Sequence, residues 1–168
     1  YLSFPTDLVR NISNFRLNNK EAYGQFGQAS IVDKYYNHSK RNGFFIEAGA
    51  YDGELFSNTL FLEVMRGWTG LLVEANPDNF KTLLSRNRNV SSIETCLSRR
   101  KSPEVVSFDA ASIFGGILVD GRPQPGENIP ITERTRIQSI VNKTRRTIKM
   151  QCFPISSLIF ALGNPVID

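Results

Sequence analysis

Two acids and two glycines form the most specific chemical pattern in this chain of 168 residues. Glu47, Gly49 and Gly53 make a loop of the form E-x-G-x-x-x-G, and Glu74 ends the apolar run that follows. Glycine lets the backbone approach a ligand closely. An acid at the tip of a strand can accept hydrogen bonds from both hydroxyls of a ribose. The pattern therefore predicts a binding site for a nucleoside-like ligand.

The residues around the loop predict the β-α-β unit that would position it. Phe44-Phe45-Ile46 has a buried-strand pattern, and Thr69 to Val73 predicts a second strand that closes on Glu74. Between them, apolar residues from Leu55 to Met65 recur at three- and four-residue steps, which predicts a helix that ends at Gly67. A crossover helix between parallel strands leaves a crevice at their carboxyl ends. Free N–H groups at the helix start would favour an anion such as a carboxylate.

The loop favours S-adenosylmethionine over a dinucleotide. The dinucleotide fingerprint needs a second glycine that admits a pyrophosphate, and Tyr51 stands at that position. A nicotinamide dinucleotide enzyme is therefore the weaker alternative. We expect the loop to hold the methionine part and Glu74 the ribose, with Asp52 and Asn58 near the carboxylate and amine. The predicted cofactor-binding residues are Glu47, Gly49, Ala50, Tyr51, Asp52, Gly53, Asn58, Glu74, Ala75 and Asn76.

These residues resemble the FkbM family of methyltransferase-like domains, and within it the Star-like branch of animal membrane-trafficking proteins. The matching segments are GFFIEAGAYDGE, SNTLFLE, RGWTGLLVEANP, NF and CLS, which cover Gly43 to Ser98. Fainter matches lie at Tyr23 to Gln28 and Cys152 to Ile155. The resemblance implies a Rossmann-like class I methyltransferase fold, an α/β doubly wound and mostly parallel sheet. It also implies that this chain is a fragment of such a domain that lacks the C-terminal strands. The activity that it implies is O-methyl transfer from S-adenosylmethionine to a small-molecule or protein acceptor.

The Star-like resemblance also implies a second function. It is that of a membrane-anchored protein that moves cargo proteins between endoplasmic reticulum, Golgi and endosomes. The domain would then be a non-catalytic module, and its membrane association would come from a part outside this fragment. The sequence does not decide between an active methyltransferase and a non-catalytic module. No general base or other catalytic residue can be assigned from it.

Charge and residue spacing argue against nucleic acid and metal partners. The net charge of +4 is mildly basic and does not demand nucleic acid. The basic clusters at 99–101 and 143–149 are not interleaved with aromatic residues as a single-strand-binding groove would be. No His, Cys, Asp or Glu cluster has the spacing of a metal site, and no apolar run is long enough to span a bilayer.

Glycosylation sequons and cysteines favour the secretory pathway. Such sequons mark acceptor sites in secreted proteins, and four occur here, at Asn11, Asn37, Asn89 and Asn142. The two cysteines, Cys96 and Cys152, could pair in a lumenal protein and would stay reduced in the cytosol. We expect a glycoprotein of secretory-pathway membranes with a lumenal or extracellular domain. A cytoplasmic location is the alternative.

The chain reads as one domain. Residues 1–42 form an N-terminal arm with one short helix, followed by a helix over Ala29 to Tyr36, and residues 43–168 form the cofactor-binding half. Gly and Pro residues predict a surface loop from Ala110 to Ile131, within an insertion at about 109–136. Such a loop could be a lid, a partner-docking surface or a disordered insertion.

Further elements are predicted after Glu74. Asn76 and Pro77 mark a helix start. Strands are expected at Ser91–Leu97, at Glu104–Phe108 and from Ile148 to Phe153, a helix over Ser156–Leu162, and the beginning of a strand at Val166–Asp168. Cys96-Leu97-Ser98 falls near where an adenine would sit in the fold that the resemblance implies.

Overall fold

The structure, a computed structural model, describes residues 2–5, 24, 26–123 and 145–168. Two mixed sheets and four helices make up this part of the chain. The predicted α/β class is therefore confirmed. The arm before residue 24, with its predicted short helix, lies outside the described residues except for 2–5.

The first sheet has four strands in the order β1-β4-β3-β2. They are β1 (Leu2–Ser3), β2 (Phe44–Ala48), β3 (Thr69–Glu74) and β4 (Ser91–Glu94). β2, β3 and β4 run parallel, and β1 pairs antiparallel with β4. The two strands predicted to flank the glycine loop, β2 and β3, are thus parallel neighbours, which brings their carboxyl ends together.

Four helices pack against this sheet. They are α1 (Gln28–Tyr35), α2 (Leu60–Arg66), α3 (Pro77–Ser85) and α4 (Ile155–Ala161). The predictions of α1 and α4 are confirmed to within one residue. α3 begins as predicted, because the Asn76 side chain caps it by accepting a hydrogen bond from the N–H of Asp78, 3.0 Å away.

The predicted start of α2 is wrong. The helix begins at Leu60 rather than near Leu55, because the chain between the glycine loop and the helix forms turns and Phe56 has a left-handed φ of 60°. The Ser57 hydroxyl accepts a hydrogen bond from the N–H of Leu60 (3.1 Å), and the Glu47 carboxylate accepts one from that of Asn58 (2.7 Å). The N–H of Leu60 is therefore not free for the anion expected at the start of this helix.

Helices cover both faces of the central strand β3. Leu72 packs into a core with Phe61 of α2 and Leu83 of α3, whereas its neighbours on β3 pack on the opposite face with Leu158 of α4. Leu71 and Leu72 have no exposed surface. A parallel strand buried on both faces reads as a continuous apolar run, which is why Thr69 to Val73 was recognisable in the sequence.

The second sheet has five strands in the order β5-β9-β6-β7-β8. They are β5 (Cys96–Leu97), β6 (Glu104–Asp109), β7 (Gly116–Val119), β8 (Arg122–Pro123) and β9 (Thr147–Phe153). All pairings except the parallel pair β5 and β9 are antiparallel. The predictions of β6 and β9 are confirmed. The sheet they form was not predicted, so the description as one mostly parallel sheet fits the first sheet only.

The single strand predicted at Ser91–Leu97 is wrong, because the chain changes sheets at Thr95. The N–H of Thr95 still donates to the carbonyl of Glu74 in the first sheet (3.1 Å), but its hydroxyl donates to the carbonyl of Gln151 in the second (2.6 Å). Directly after this crossing, Cys96 lies opposite Cys152, and a disulfide joins them with 4.4 Å between the Cα atoms. The expected pairing of the cysteines is confirmed.

The surface loop predicted from Ala110 is wrong where the structure describes it. A 3₁₀ turn at Ser112–Phe114 leads into the hairpin of β7 and β8. Asp120 and Gly121 form its two-residue turn, with φ values of 50° and 73°. An Asp-Gly pair in this geometry is a strong hairpin signal that the many Gly and Pro residues obscured. The rest of the predicted loop, residues 124–131, lies outside the described part.

The strand predicted to begin at Val166–Asp168 is also wrong, since this segment has no assigned strand. Asp168 nevertheless lies beside β2. Its N–H donates to the carbonyl of Phe44, its carboxylate accepts from the N–H of Phe44 (both 3.0 Å), and Lys40 pairs with it at 2.6 Å.

Asp33 links α1 to α2 through a nearly buried ion pair. Its carboxylate accepts two hydrogen bonds from the Arg66 guanidinium, at 2.5 and 2.7 Å, and lies 2.7 Å from the His38 ring. Mainly the Arg66 hydrogen bonds, and to a lesser degree His38, lower the pKa of Asp33 from 3.8 to about 2. The ionised carboxylate therefore stabilises the folded state.

Replacing Asp33 by asparagine is expected to lower the free energy of unfolding at neutral pH and to have less effect in acid. As the pH falls from about 4 to about 2, the unfolded state takes up the Asp33 proton before the folded state does, so the stabilisation is lost. Urea denaturation across this range should show the two proteins converging. Asp120→Asn, at an exposed turn position, is the control. A difference between wild type and variant that does not change with pH would contradict the assignment.

Candidate functional site

The glycine loop folds over the end of β3. Ala48 and Val73 are register partners at the ends of β2 and β3. The N–H groups of Gly49 and Ala50 donate to the carbonyl of Val73, at 2.9 and 3.1 Å. Left-handed φ values of 81° at Gly49 and 53° at Tyr51 let the chain turn back over the end of β3. The loop is thereby placed directly above the strand that ends in the second predicted acid.

Glu74 is held under this loop. One carboxylate oxygen accepts the N–H of Tyr51 and the other accepts the N–H of Asn76, both at 2.8 Å. The Asn79 amide lies 3.4 Å from the second oxygen. Only 6% of Glu74 is exposed, and this burial raises the pKa of its carboxyl above the ordinary 4.5, although the hydrogen bonds from Asn76 and Tyr51 oppose the shift. The oxygen that accepts from Tyr51 keeps a further lone pair for a ligand hydroxyl, whereas the other already accepts from both Asn76 and Asn79.

A first cavity of about 300 Å³ opens beside Glu74. Gly49, Tyr51 and Glu74 line one side of it, and Leu97, Phe108 and Ile113 of the second sheet and its connections line the other. The cavity thus lies where the two sheets meet, with one carboxylate among mostly apolar walls. Apolar walls with a few placed polar groups are typical of small-molecule sites.

A second cavity of about 240 Å³ shares part of its lining with the first. The shared residues are Ala48, Gly49, Tyr51 and Ile113. Further lining comes from Glu47, Ala50, Leu55, Phe56, Asn58 and Phe114. The side-chain oxygen of Asn58 is buried without a hydrogen-bond partner in the described structure. This oxygen packs against Gly24, since a Cβ there would lie 2.2 Å from it, while Glu47 and Asn58 give the second cavity polar lining residues.

The structure brings most of the predicted site residues to these two cavities. Glu74 and Ala75 line the first, Gly49 and Tyr51 line both, and the second is lined by Glu47, Ala50 and Asn58. Glu47 has a supporting part as well. Its carboxylate accepts the hydroxyls of Ser57 (2.8 Å) and Thr59 (2.5 Å) and the N–H of Asn58 (2.7 Å). Glu47 therefore holds the turn before α2 in place.

Three predicted residues line neither cavity. Asp52 accepts the N–H groups of the two residues after Gly53 and pairs with Arg86 at 3.0 Å. A side chain at Gly53 would meet Leu83 at 3.2 Å, and Asn76 caps α3. These residues shape the loop and helix that carry the cavity walls. Both carboxylate oxygens of Asp52 thus make contacts within the chain, and its predicted contact with a ligand stays a prediction.

Sequence reasoning missed several residues of the first cavity. Asn79 could have been found, because it lies in the first turn of the helix that Asn76 and Pro77 begin directly after Glu74. Phe108, Ser112, Ile113 and Gly115 had no such signal, since the chain that carries them was predicted as a strand end and a surface loop. Their position depends on the second sheet. Cys96 and Leu97 were placed near a ligand's base by the resemblance and do line this cavity.

The described residues hold neither a metal-ligand cluster nor a membrane-spanning helix. No group of three or more His, Cys, Asp and Glu side chains in them could hold a metal ion. None of the helices among them has the length and apolar character to cross a membrane.

Comparison of the chain with protein-family models, curated proteins and solved structures returns no match. The expectations about family, cofactor, partners and location therefore stay predictions.

Proposed function

We propose that the chain binds S-adenosylmethionine in the two cavities and is a methyltransferase of the FkbM type with a Rossmann-like class I arrangement. One observation carries the proposal: the buried carboxylate of Glu74 and the glycine loop line the same cavity of about 300 Å³. Parallel strands β2 to β4 with helices on both faces support it, because ligands of open α/β sheets bind at the carboxyl ends of the strands.

The residues present fit this cofactor. The apolar walls at Leu97 and Phe108 suit a base, and Glu74 can accept hydrogen bonds from ribose hydroxyls. A Cβ at Gly49 would have no atom within 4 Å, so the space above the loop is free for a ligand chain. The polar residues Glu47 and Asn58 in the lining of the second cavity suit the polar end of the cofactor.

When bound, the cofactor would supply an electrophilic methyl group. The chain's own part is to hold the donor and an acceptor in line, which by itself can supply much of the rate. A base is needed only if the acceptor must lose a proton, and the proposal assigns none. An acceptor oxygen is what the resemblance favours.

A second candidate function is the Star-like module in vesicle-mediated transport of cargo proteins. The disulfide between Cys96 and Cys152 favours it, because disulfides persist in oxidising compartments such as the endoplasmic reticulum lumen. The sequon residues Asn37 and Asn89 are exposed, as acceptors of glycans must be. This candidate puts the domain in the lumen of the endoplasmic reticulum, Golgi or endosomes and makes its partner a protein.

Replacing Glu74 by alanine is expected to weaken binding of S-adenosylmethionine and S-adenosylhomocysteine by about 10- to 100-fold. The reason is that a hydrogen bond to a charged group contributes about 1.5–3 kcal/mol. Calorimetric titration measures the loss, and Glu74→Gln separates the charge from the shape of the side chain. Asp78→Asn, with a side chain 75% exposed, is the control.

Two outcomes would count against the proposal. Unchanged affinity in Glu74→Ala would refute the assigned role of this carboxylate. A well-folded wild-type protein that binds neither ligand at millimolar concentration would refute the cofactor site and favour the non-catalytic module.

A further inference from the structure

The 3₁₀ turn Ser112–Phe114, here called the roof, is fixed at both ends over the two cavities. Ala111, directly before it, has no exposed surface. After it, a Cβ at Gly115 would lie only 2.7 Å from the carbonyl oxygen of Asp109, so the chain passes tightly over β6. The Asn79 amide also donates to the carbonyl of Ser112 at 3.1 Å. The roof is thus tied to α3, next to Glu74.

The roof presents two large apolar residues to the cavities, Ile113 to both and Phe114 to the second only. Ile113 is 44% exposed although it lines both of them. The other residues shared by the two linings belong to the glycine loop and the end of β2. Ile113 and Gly49 therefore both border the region where the two cavities adjoin, here called the passage.

The roof contributes an apolar side chain to this passage, and the loop contributes a residue without a side chain. Gly49 has no side chain, and nothing lies within 4 Å of where its Cβ would be. Ile113 adds a branched apolar group. A ligand that occupied both cavities would pass Ile113 here, and an aliphatic linker that covered this side chain would remove apolar surface from water.

We propose that Ile113 is a specificity-determining residue that selects ligands with a nucleoside in the first cavity joined by an aliphatic linker to a polar end in the second. This inference depends on the proposed function and deepens it. The linker contacts Ile113, while the nucleoside alone occupies the first cavity without needing the passage. Substitutions at Ile113 should therefore separate the affinity for S-adenosylmethionine from the affinity for adenosine.

The test is calorimetric titration of the whole chain with S-adenosylmethionine and with adenosine. Ile113→Trp should fill the passage and weaken S-adenosylmethionine at least about 10-fold more than it weakens adenosine, which also meets Ile113 in the first cavity. Ile113→Ala should weaken S-adenosylmethionine by about 10-fold through lost apolar contact, and Ile113→Val should retain most of the affinity. Ile155→Trp, at an isoleucine of the same 44% exposure on α4, should change neither ligand.

The outcomes separate this inference from the proposed function. If wild type binds S-adenosylmethionine and Ile113→Trp either leaves both ligands unchanged or weakens both equally, the inference is overturned and the cofactor site stands. If wild type binds neither ligand, the proposed function fails and the inference fails with it. Because Ile113 is half exposed, all three variants are expected to fold, and thermal melts followed by circular dichroism check this.

Discussion

Replacing Arg88 by methionine is expected to lower the free energy of unfolding by about 3–5 kcal/mol, because it leaves a buried charge without its partner. The Arg88 and Glu63 side chains form an ion pair in which each is only 1% exposed. Methionine keeps much of the volume of arginine but cannot donate a hydrogen bond. The carboxylate of Glu63 would then have to remain ionised in a dry interior, take up a proton or draw water into the core.

Arg88 also joins three parts of the structure. It bonds to Glu63 on α2 and to the carbonyl of Gly53, and it lies 3.3 Å from the Ser57 hydroxyl and 3.2 Å from that of Thr59. The latter two hydroxyls also donate to Glu47 at the second cavity. The variant should therefore loosen the turn that carries Asn58, beyond its effect on the core.

Urea denaturation followed by circular dichroism measures the effect of Arg88→Met. Arg99→Met, at an exposed arginine, is the matched control and should cost less than about 0.5 kcal/mol. The double variant Arg88→Met with Glu63→Met should recover part of the loss, because it removes the orphaned charge as well. A cost below about 1 kcal/mol for Arg88→Met would show that this ion pair does not hold the turn and α2 together.

Replacing both cysteines by alanine is expected to lower the free energy of unfolding by about 4 kcal/mol, from the chain entropy of a loop closed between residues 56 positions apart. The folded state also depends on this crosslink locally. β5 has two residues and pairs only with β9 among the described strands. The disulfide therefore fastens the segment that crosses from the first sheet to the second and lines the first cavity.

Reductant separates the disulfide from other effects of the substitutions. Dithiothreitol should lower the urea midpoint of wild type towards that of Cys96→Ala with Cys152→Ala, and it should leave the double variant unchanged. Two free thiols on the native, unreduced protein would contradict the pairing. Equal midpoints for oxidised wild type and the double variant would contradict its contribution to stability.

The sequence was informative where the local residue pattern agrees with what the tertiary structure requires at the same positions. β3 is buried on both faces, so its residues had to be apolar in an unbroken run. Asn76 and Pro77 begin α3 by local chemistry, and Gly67 ends α2 with a left-handed φ of 66°. These elements place the loop and Glu74 at adjoining strand ends, so that part of the site could be predicted.

The start of α2 shows where local pattern misled. Leu55 and Phe56 continue the helical spacing, but Glu47 and Ser57 provide caps that hold the preceding segment in turns. Because the partners of this cap come from β2 and the turn itself, helix periodicity alone did not reveal it. The Asp120-Gly121 hairpin was missed for a different reason, since its short strands are stable only as the edge of a sheet.

By itself, the sequence determined the parallel β2-loop-α2-β3 unit, the position of Glu74, the caps of α3 and the availability of Cys96 and Cys152 for pairing. Only the tertiary structure decided that the chain crosses between sheets at Thr95 and that the roof lies over the glycine loop. It also decided that Glu47 and Asp52 support the site through hydrogen bonds to the chain. The physical reason is the sequence separation of the interacting residues. Caps, turns and buried strands depend on residues that are close in the sequence. The roof and the second sheet depend on pairing between distant segments, and a local pattern does not show which segments pair.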